Sequence, residues 1–336
     1  MTVAGVTVEE FLRRAVDGDA RGATRVALDL LDRGSPSYEV IVDLLGAAQY
    51  QVGQRWLDNL YSVAEEHLAS GVVQRALDAV AAAVDPPPPQ AQVVVACAEG
   101  DWHSLPSQMF AEMLRSRGFD VRFLGASTPV EHVARLLARK PPAALVVTCT
   151  LPLFFGGVSR LAQAAHDCGV PVLAGGRALG RDPSRALMLG ADAWAIGIDT
   201  AVSIISAWQD TPPTLSKPTP THPSISLLDL DAPLIATEAF EVMRANWPAM
   251  SSYTDAQLAR TREDLAYITR FAGAASLVND PSVFTDFIDW LQALLSARGV
   301  PPAALHGGLT VLTPIIDLHH PPSGDLVRTT AAAMSH

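Results

Sequence analysis

A carboxylate and an imidazole two positions apart, in Asp101-Trp102-His103, follow closely on the β-branched run Val93-Val94-Val95-Ala96-Cys97. If that run is a strand, the histidine stands on a loop at its carboxyl end, before a helix opened by Ser104 and Leu105. There the ring could ligate a metal held over a sheet, while the aspartate accepts the proton of the other ring nitrogen and raises ligand basicity. An Asp-x-His triplet alone is equally compatible with a solvated loop histidine. Two later β-branched runs end in Thr148-Cys149-Thr150 and in Gly175-Gly176. Hydroxyls suit a polar pocket, and paired glycines admit a flat group close to the backbone, although an ordinary strand-to-helix turn uses them too. Upstream, nine residues separate Trp56 from Glu66-His67. By default that tryptophan is a core anchor and that glutamate a solvated face.

The elements that must position these groups follow from periodicity. From Val8 to about Val84 apolar residues recur at three and four positions, which predicts a helical bundle over 1–84. Asp58-Asn59 breaks a helix after Trp56, and Ser62 with Glu65 forms a capping box that starts the next. Asp85 and four prolines end the bundle as a semi-rigid spacer. Over 90–210, five short apolar runs (ending VVVAC, the segment Val121–Leu124, ALVVTC, PVLAG, ADAWAI) alternate with helical stretches. That alternation predicts a flavodoxin-like, doubly wound parallel α/β sheet, with ligands at the carboxyl ends of its strands. The Pro-, Ser- and Thr-rich segment 211–226 reads as a linker, 227–320 as an all-α domain and 321–336 as a disordered tail. The expected helices of the all-α domain are Leu234–Ala245, Asp255–Ala275, Pro281–Ala297 and Pro302–Leu318.

Composition narrows the function. A formal charge of −11 with no Lys/Arg-rich run argues against generic nucleic-acid binding, which requires a basic patch. Cys97, Cys149 and Cys168 form no short pairing motif, which fits a reducing compartment. The first residues lack the apolar core of a signal peptide, and the apolar runs fall short of the roughly 20 residues that a membrane helix needs. A cytoplasmic protein without membrane partners is expected.

Asp101-x-His103 after the first strand resembles the Asp-x-His-x-x-Gly signature of base-off, His-on cobalamin-binding domains. The resemblance implies that His103 is the lower axial ligand of cobalt and Asp101 its supporting partner. It also implies that Trp102, Ser104 and Leu105 border the cofactor, that Thr148 and Thr150 stand where the family's Ser-x-Leu lines the nucleotide-tail pocket, and that Gly175-Gly176 matches its Gly-Gly. Two positions depart from the pattern: Pro106 replaces the signature glycine, and Thr-x-Thr replaces Ser-x-Leu. Trp56-x9-Glu66-His67 resembles adenosylcobalamin photoreceptors of the light-dependent repressor type, in which these residues cap the upper face and surround the 5′-deoxyadenosyl group. That likeness spans roughly residues 5 to 208. The helix-turn-helix domain of those repressors has no counterpart here, so DNA binding is not expected. Where some of them carry a second histidine after the tryptophan this chain has Leu57, which rules out bis-histidine ligation through that position.

The C-terminal helices carry aromatics and cations suited to a tetrapyrrole with propionates, first Arg262 and Arg270, then Tyr267 and His306. An adenosylcobalamin module followed by an extra helical domain resembles the photocobilins, which implies biliverdin as a second chromophore. No cysteine follows Cys168, so it would be held without a thioether. The expectation is a photochemical sensor rather than an enzyme, signalling through a partner or a change in self-association. Two alternatives stand beside it. One is a corrinoid carrier in a methyltransferase system, whose upper face must stay open to methyl donors; the other is a regulator that senses cobalamin without light.

Overall fold

The computed structural model describes residues 5–215 and 223–334. The first helices are α1 (Gly5–Val16), α2 (Ala20–Asp32), α3 (Ser37–Glu39), a π-helical segment Val40–Gly46, α4 (Ala47–Leu57) and α5 (Val63–Ala82). Their apolar stripes close a core of Phe11, Leu12, Leu44, Leu45 and Leu77, among others. Asp19 caps α2, and Ser62 and Glu65 form the expected reciprocal capping box on α5. The turn from α4 to α5 places Asn59 at φ 58°, a conformation asparagine tolerates better than most residues. The π-helical segment has no counterpart in the sequence expectation.

The sheet follows as β1 (Ala91–Cys97), α6 (Ser104–Ser116), β2 (Phe119–Phe123), α7 (Val130–Arg139), β3 (Ala144–Thr148), α8 (Phe155–Asp167), β4 (Val172–Gly175), α9 (Ser184–Met188), β5 (Ala193–Ala195) and α10 (Ile198–Asp210). The strand order is β2-β1-β3-β4-β5 and every pairing is parallel. This is the flavodoxin-like order, whose switch point lies between β1 and β3. Alternate residues serve opposite faces: Val93, Val95 and Val146 pack with Leu114 of α6 and Ile205 of α10, while Val94, Leu145 and Val147 pack with Val158 and Leu161 of α8. Bundle and sheet meet through α6, whose Met109 is buried in the bundle core with Leu105 and Met113 packed against it.

The C-terminal helices are α11 (Pro223–Asn246), α12 (Asp255–Leu277), α13 (Ser282–Ala297), α14 (Pro302–His319) and α15 (Pro321–Ala333). Three match their expected spans within a few residues. Residues 216–222 of the expected linker 211–226 lie outside the described residues, and α11 begins at Pro223, inside that span and earlier than the expected Leu234. The helix runs through Pro233, which is exposed, so water can satisfy the carbonyl that the proline leaves unbonded. The expectation of a disordered tail fails. Residues from Pro321 form α15, because the buried His320 accepts the N–H of Ser323 and because Ser323, Gly324 and Ala331 are small enough for close packing. These helices share one core with the α8 face of the sheet, through Phe284, Leu265, Val158 and Leu161. No helix among the described residues is long and apolar enough to cross a membrane.

Candidate functional site

At the switch point the chain leaves β1 and turns sharply. Gly100 takes φ 94°, a left-handed value glycine adopts without strain, and its N–H donates to Ser127 Oγ at 3.0 Å. Asp101 is 1% exposed, and its carboxylate has several partners. Oδ1 accepts the backbone N–H of His103 at 3.0 Å and lies 2.9 Å from His103 Nδ1, while Oδ2 accepts the N–H of Thr150 at 2.7 Å. Thus a buried carboxylate ties the loops after β1 and β3 and fixes the Nδ1–H tautomer, leaving Nε2 as the free lone pair. The His103 side chain is 54% exposed. The hydrogen bond to Asp101 raises the imidazole above its usual range, burial opposes this, and the charges of Asp101 and Glu66 add to the rise. α5, which carries Glu66, packs against α6, which His103 opens.

His103 is the N-cap of α6, with Ser104 and Leu105 in its first turn. Pro106 falls in that same turn, where a backbone N–H has no intrahelical partner anyway, so the departure from the glycine of the signature leaves the helix start intact. Trp102 is 76% exposed beside the histidine. Thr148 is buried, and its Oγ1 sits 2.5 Å from Ser107 Oγ, which in turn accepts from Cys97 Sγ at 3.2 Å. The Thr148 hydroxyl therefore fastens β3 to α6. Thr150 contributes its backbone N–H to Asp101. Gly176 has φ 105°, and a Cβ there would collide with the carbonyl oxygen of Cys149. Gly175 allows more room, its Cβ position lying 3.3 Å from Ala195 O.

On the bundle side, Glu66 Oε1 accepts from Ser70 Oγ at 2.9 Å, and Ser70 Oγ accepts from Gln49 Nε2 at 2.9 Å. His67 lies 3.4 Å from Glu66 and is 75% exposed. Gln49 Oε1 is buried with no hydrogen-bond partner among the described residues, an acceptor left for a donor. Gln49 and Trp56 are seven residues apart on α4, hence on one stripe. Trp56 itself meets the C-terminal helices: its ring lies 6.4 Å from that of Trp290, and the Arg298 guanidinium stands 5.2 Å from its centroid.

The four residues singled out in the C-terminal helices are not brought into one cavity. Arg262 lies 4.2 Å over the Phe240 ring, Arg270 pairs with Asp229 at 2.6 Å, and both therefore face α11. Tyr267 is 44% exposed. His306 lines an open cavity of about 420 Å³ between α14 and α15, with Thr313, Asp317 and Arg328.

The sequence reading missed Ser107, Ser127, Gln49 and Ser70 as supporting residues. Ser107 stands one turn beyond His103 and Gln49 two turns before Trp56, so helical spacing was the available signal. Ser70 stands one turn beyond Glu66, again at helical spacing, whereas Ser127 gave no such signal. Among the described residues no three His, Cys, Asp or Glu side chains gather as a metal site. With Nδ1 held by Asp101, Nε2 is the ring nitrogen of His103 left to a ligand.

Two sequence families, each described as a B12 binding domain, match residues 7–81 and 91–203. A curated relative, the HTH-type transcriptional repressor CarA of Myxococcus xanthus, is 32% identical over 118 residues, 34% of this chain and 40% of the repressor. The chain thus matches well under half of that relative's length. Among solved structures, the monomethylamine corrinoid protein of Methanosarcina barkeri aligns with TM-score 0.53 and 18% identity, covering 60% of this chain and 98% of its own. At that identity the likeness shows the fold.

Proposed function

We propose that this chain, whose bundle and sheet both match B12-binding domains, is a light sensor that holds adenosylcobalamin base-off between them, with His103 as lower axial ligand. The observation that carries the reading is the Asp101–His103 pair at the switch point, on the loop that opens α6, the helix on which α5 with Glu66 packs. When bound, the cofactor would supply a visible absorber and a light-labile cobalt–carbon bond. The chain's own part is separate. Asp101 holds the His103 tautomer, Trp102 offers an exposed apolar face beside it, and the Gln49–Ser70–Glu66 chain presents polar groups opposite. Trp56 on the same stripe as Gln49 would flank an upper adenosyl group. His67 would stand at the rim.

The C-terminal helices carry the second part of the proposal, a biliverdin held without a thioether. Arg262 and Arg270 are the candidate partners of its propionates, which requires Arg270 to exchange Asp229 for a propionate. Tyr267 and His306 would lie farther out.

The test is the absorption spectrum of full-length protein from cells supplied with cobalamin and biliverdin, recorded in darkness and after illumination. A His-on adenosylcobalamin spectrum that changes irreversibly on illumination supports the sensor. Lack of a red-absorbing band removes biliverdin, and a light-insensitive spectrum removes photochemistry. The competing reading is a corrinoid carrier, favoured by the fold shared with the Methanosarcina protein. Equal affinity for methyl- and adenosylcobalamin in the unmodified chain would support the carrier.

A further inference from the structure

α13 is fastened at its two ends to different parts of the molecule. Before its start, Arg185 of the sheet domain donates Nε to Asp280 Oδ2 at 2.8 Å and Nη2 to Ser282 Oγ at 2.9 Å. The same guanidinium donates Nη1 to the carbonyl of Ala178, in the turn after Gly175-Gly176, at 2.9 Å. At the other end, Trp290 stacks on Trp56 of the bundle with 23° between the rings, and Arg298, the C-cap of α13, covers the same indole. Phe287 continues the series inward, 6.0 Å from Trp290 and 3.7 Å from Phe271 of α12. A helix of 16 residues is about 24 Å long at ~1.5 Å per residue, enough to bridge from the strand ends to the bundle.

The two ends differ in kind. The sheet end is a charge-assisted fork on a side chain that is 15% exposed, adjoining a shared apolar core. The bundle end consists of ring-on-ring and cation-on-ring contacts, with Trp290 still 40% exposed. On the sheet side, α12 packs on α8 and on the 3-10 turn Pro152–Phe154, which adds backbone-to-backbone proximity to that end. Together, contacts of the bundle-end type are worth about tenfold in an equilibrium.

We infer that α13 is a latch whose bundle end reports what occupies the face of Trp56, and that Trp290 and Arg298 are its positioning residues. This rests on the placement of Trp56 beside the upper ligand. An indole drawn onto a bulky upper ligand leaves Trp290 and Arg298, and the last turns of α13 loosen while the Arg185 end holds. The C-terminal helices then carry the signal.

Hydrogen–deuterium exchange on the full-length chain in darkness tests this, with no ligand, with hydroxocobalamin and with adenosylcobalamin, cobalamin uptake being read from the visible spectrum of each sample. Without ligand, Trp290→Ala should speed exchange over residues 290–298 about tenfold and leave 282–286 unchanged, whereas Trp290→Phe should stay near the parent. Adenosylcobalamin should produce the same rise in the parent, hydroxocobalamin should not, and Trp290→Ala should respond to neither. Normal uptake with identical exchange for both cobalamins overturns the latch and leaves the cobalamin reading standing. Failure of uptake overturns both. An unchanged rate in ligand-free Trp290→Ala overturns the latch by itself.

Discussion

Asp101 Oδ2 and the backbone N–H of Thr150 lie 2.7 Å apart, joining the loops after β1 and β3 across the point where the strand order reverses. The other oxygen of this carboxylate orients His103. Thus the residue that fixes the histidine tautomer also closes the sheet edge, and loss of Asp101 should register in stability as well as in binding.

Asp101→Ala should cost about 2 to 4 kcal/mol of stability, because a buried charged acceptor disappears and the Thr150 N–H is left without a partner. Its cobalamin affinity should fall roughly 10- to 100-fold. His103→Ala should cost about 1 kcal/mol, since it removes one hydrogen bond from the buried Asp101 carboxylate, which keeps the N–H groups of residues 103 and 150, yet abolish His-on coordination. Thermal denaturation and a spectroscopic cobalamin titration of both variants decide. Parent-like affinity and spectrum in His103→Ala would remove it as the ligand.

Gly176→Ala should be among the most destabilising changes in the sheet. The residue sits at φ 105°, where an L side chain is strained by about 1 to 3 kcal/mol, and the added methyl meets the Cys149 carbonyl. Gly175→Ala, at a strand end with ordinary backbone, should cost less. A thermal melt in which the two variants lose stability equally would contradict this account.

Trp56→Ala should reduce the preference for adenosyl- over methylcobalamin by about 2- to 10-fold, the usual worth of an aromatic contact. Titrations in darkness measure it. A preference unaffected by the substitution would place the upper ligand away from α4.

Asp264 on α12 sets a pH dependence. Burial first, and then the charge of Glu263, push its carboxyl from an ordinary value of 3.8 up to about 6, with Arg260 opposing. Arg260 is 3.6 Å from Glu263, its ion-pair partner. Between pH 4 and 6 the folded chain therefore holds a proton that the unfolded chain has released, and stability falls as pH rises through that window. Asp264→Asn should raise stability at pH 8 by ~1 to 2 kcal/mol, after allowing for partial solvation, and change little at pH 4. Denaturant titrations at the two pH values check the sign; a destabilised variant at pH 8 would show that the carboxylate has a stabilising role.

The sequence by itself determined the parallel sheet, the capping box on α5 and most C-terminal helix spans. Each depends on local signals, such as β-branched runs, Ser62 three residues before Glu65, or Asp280-Pro281 at a helix boundary. It also singled out Asp101 and His103, because their pairing spans two residues of one loop. Only the tertiary structure decided what lies far apart in the chain. Asp101 meets Thr150, Thr148 meets Ser107, and Trp56 meets Trp290 and Arg298 because the sheet order and a packed core bring distant segments together. The tail shows the same division: Pro321–Ala333 is short, polar in part and weakly patterned, and its helix is held by burial of Val327 and Ala331 and by the His320 cap. Helix propensity is a property of a segment, whereas that burial belongs to the neighbours it finds after folding.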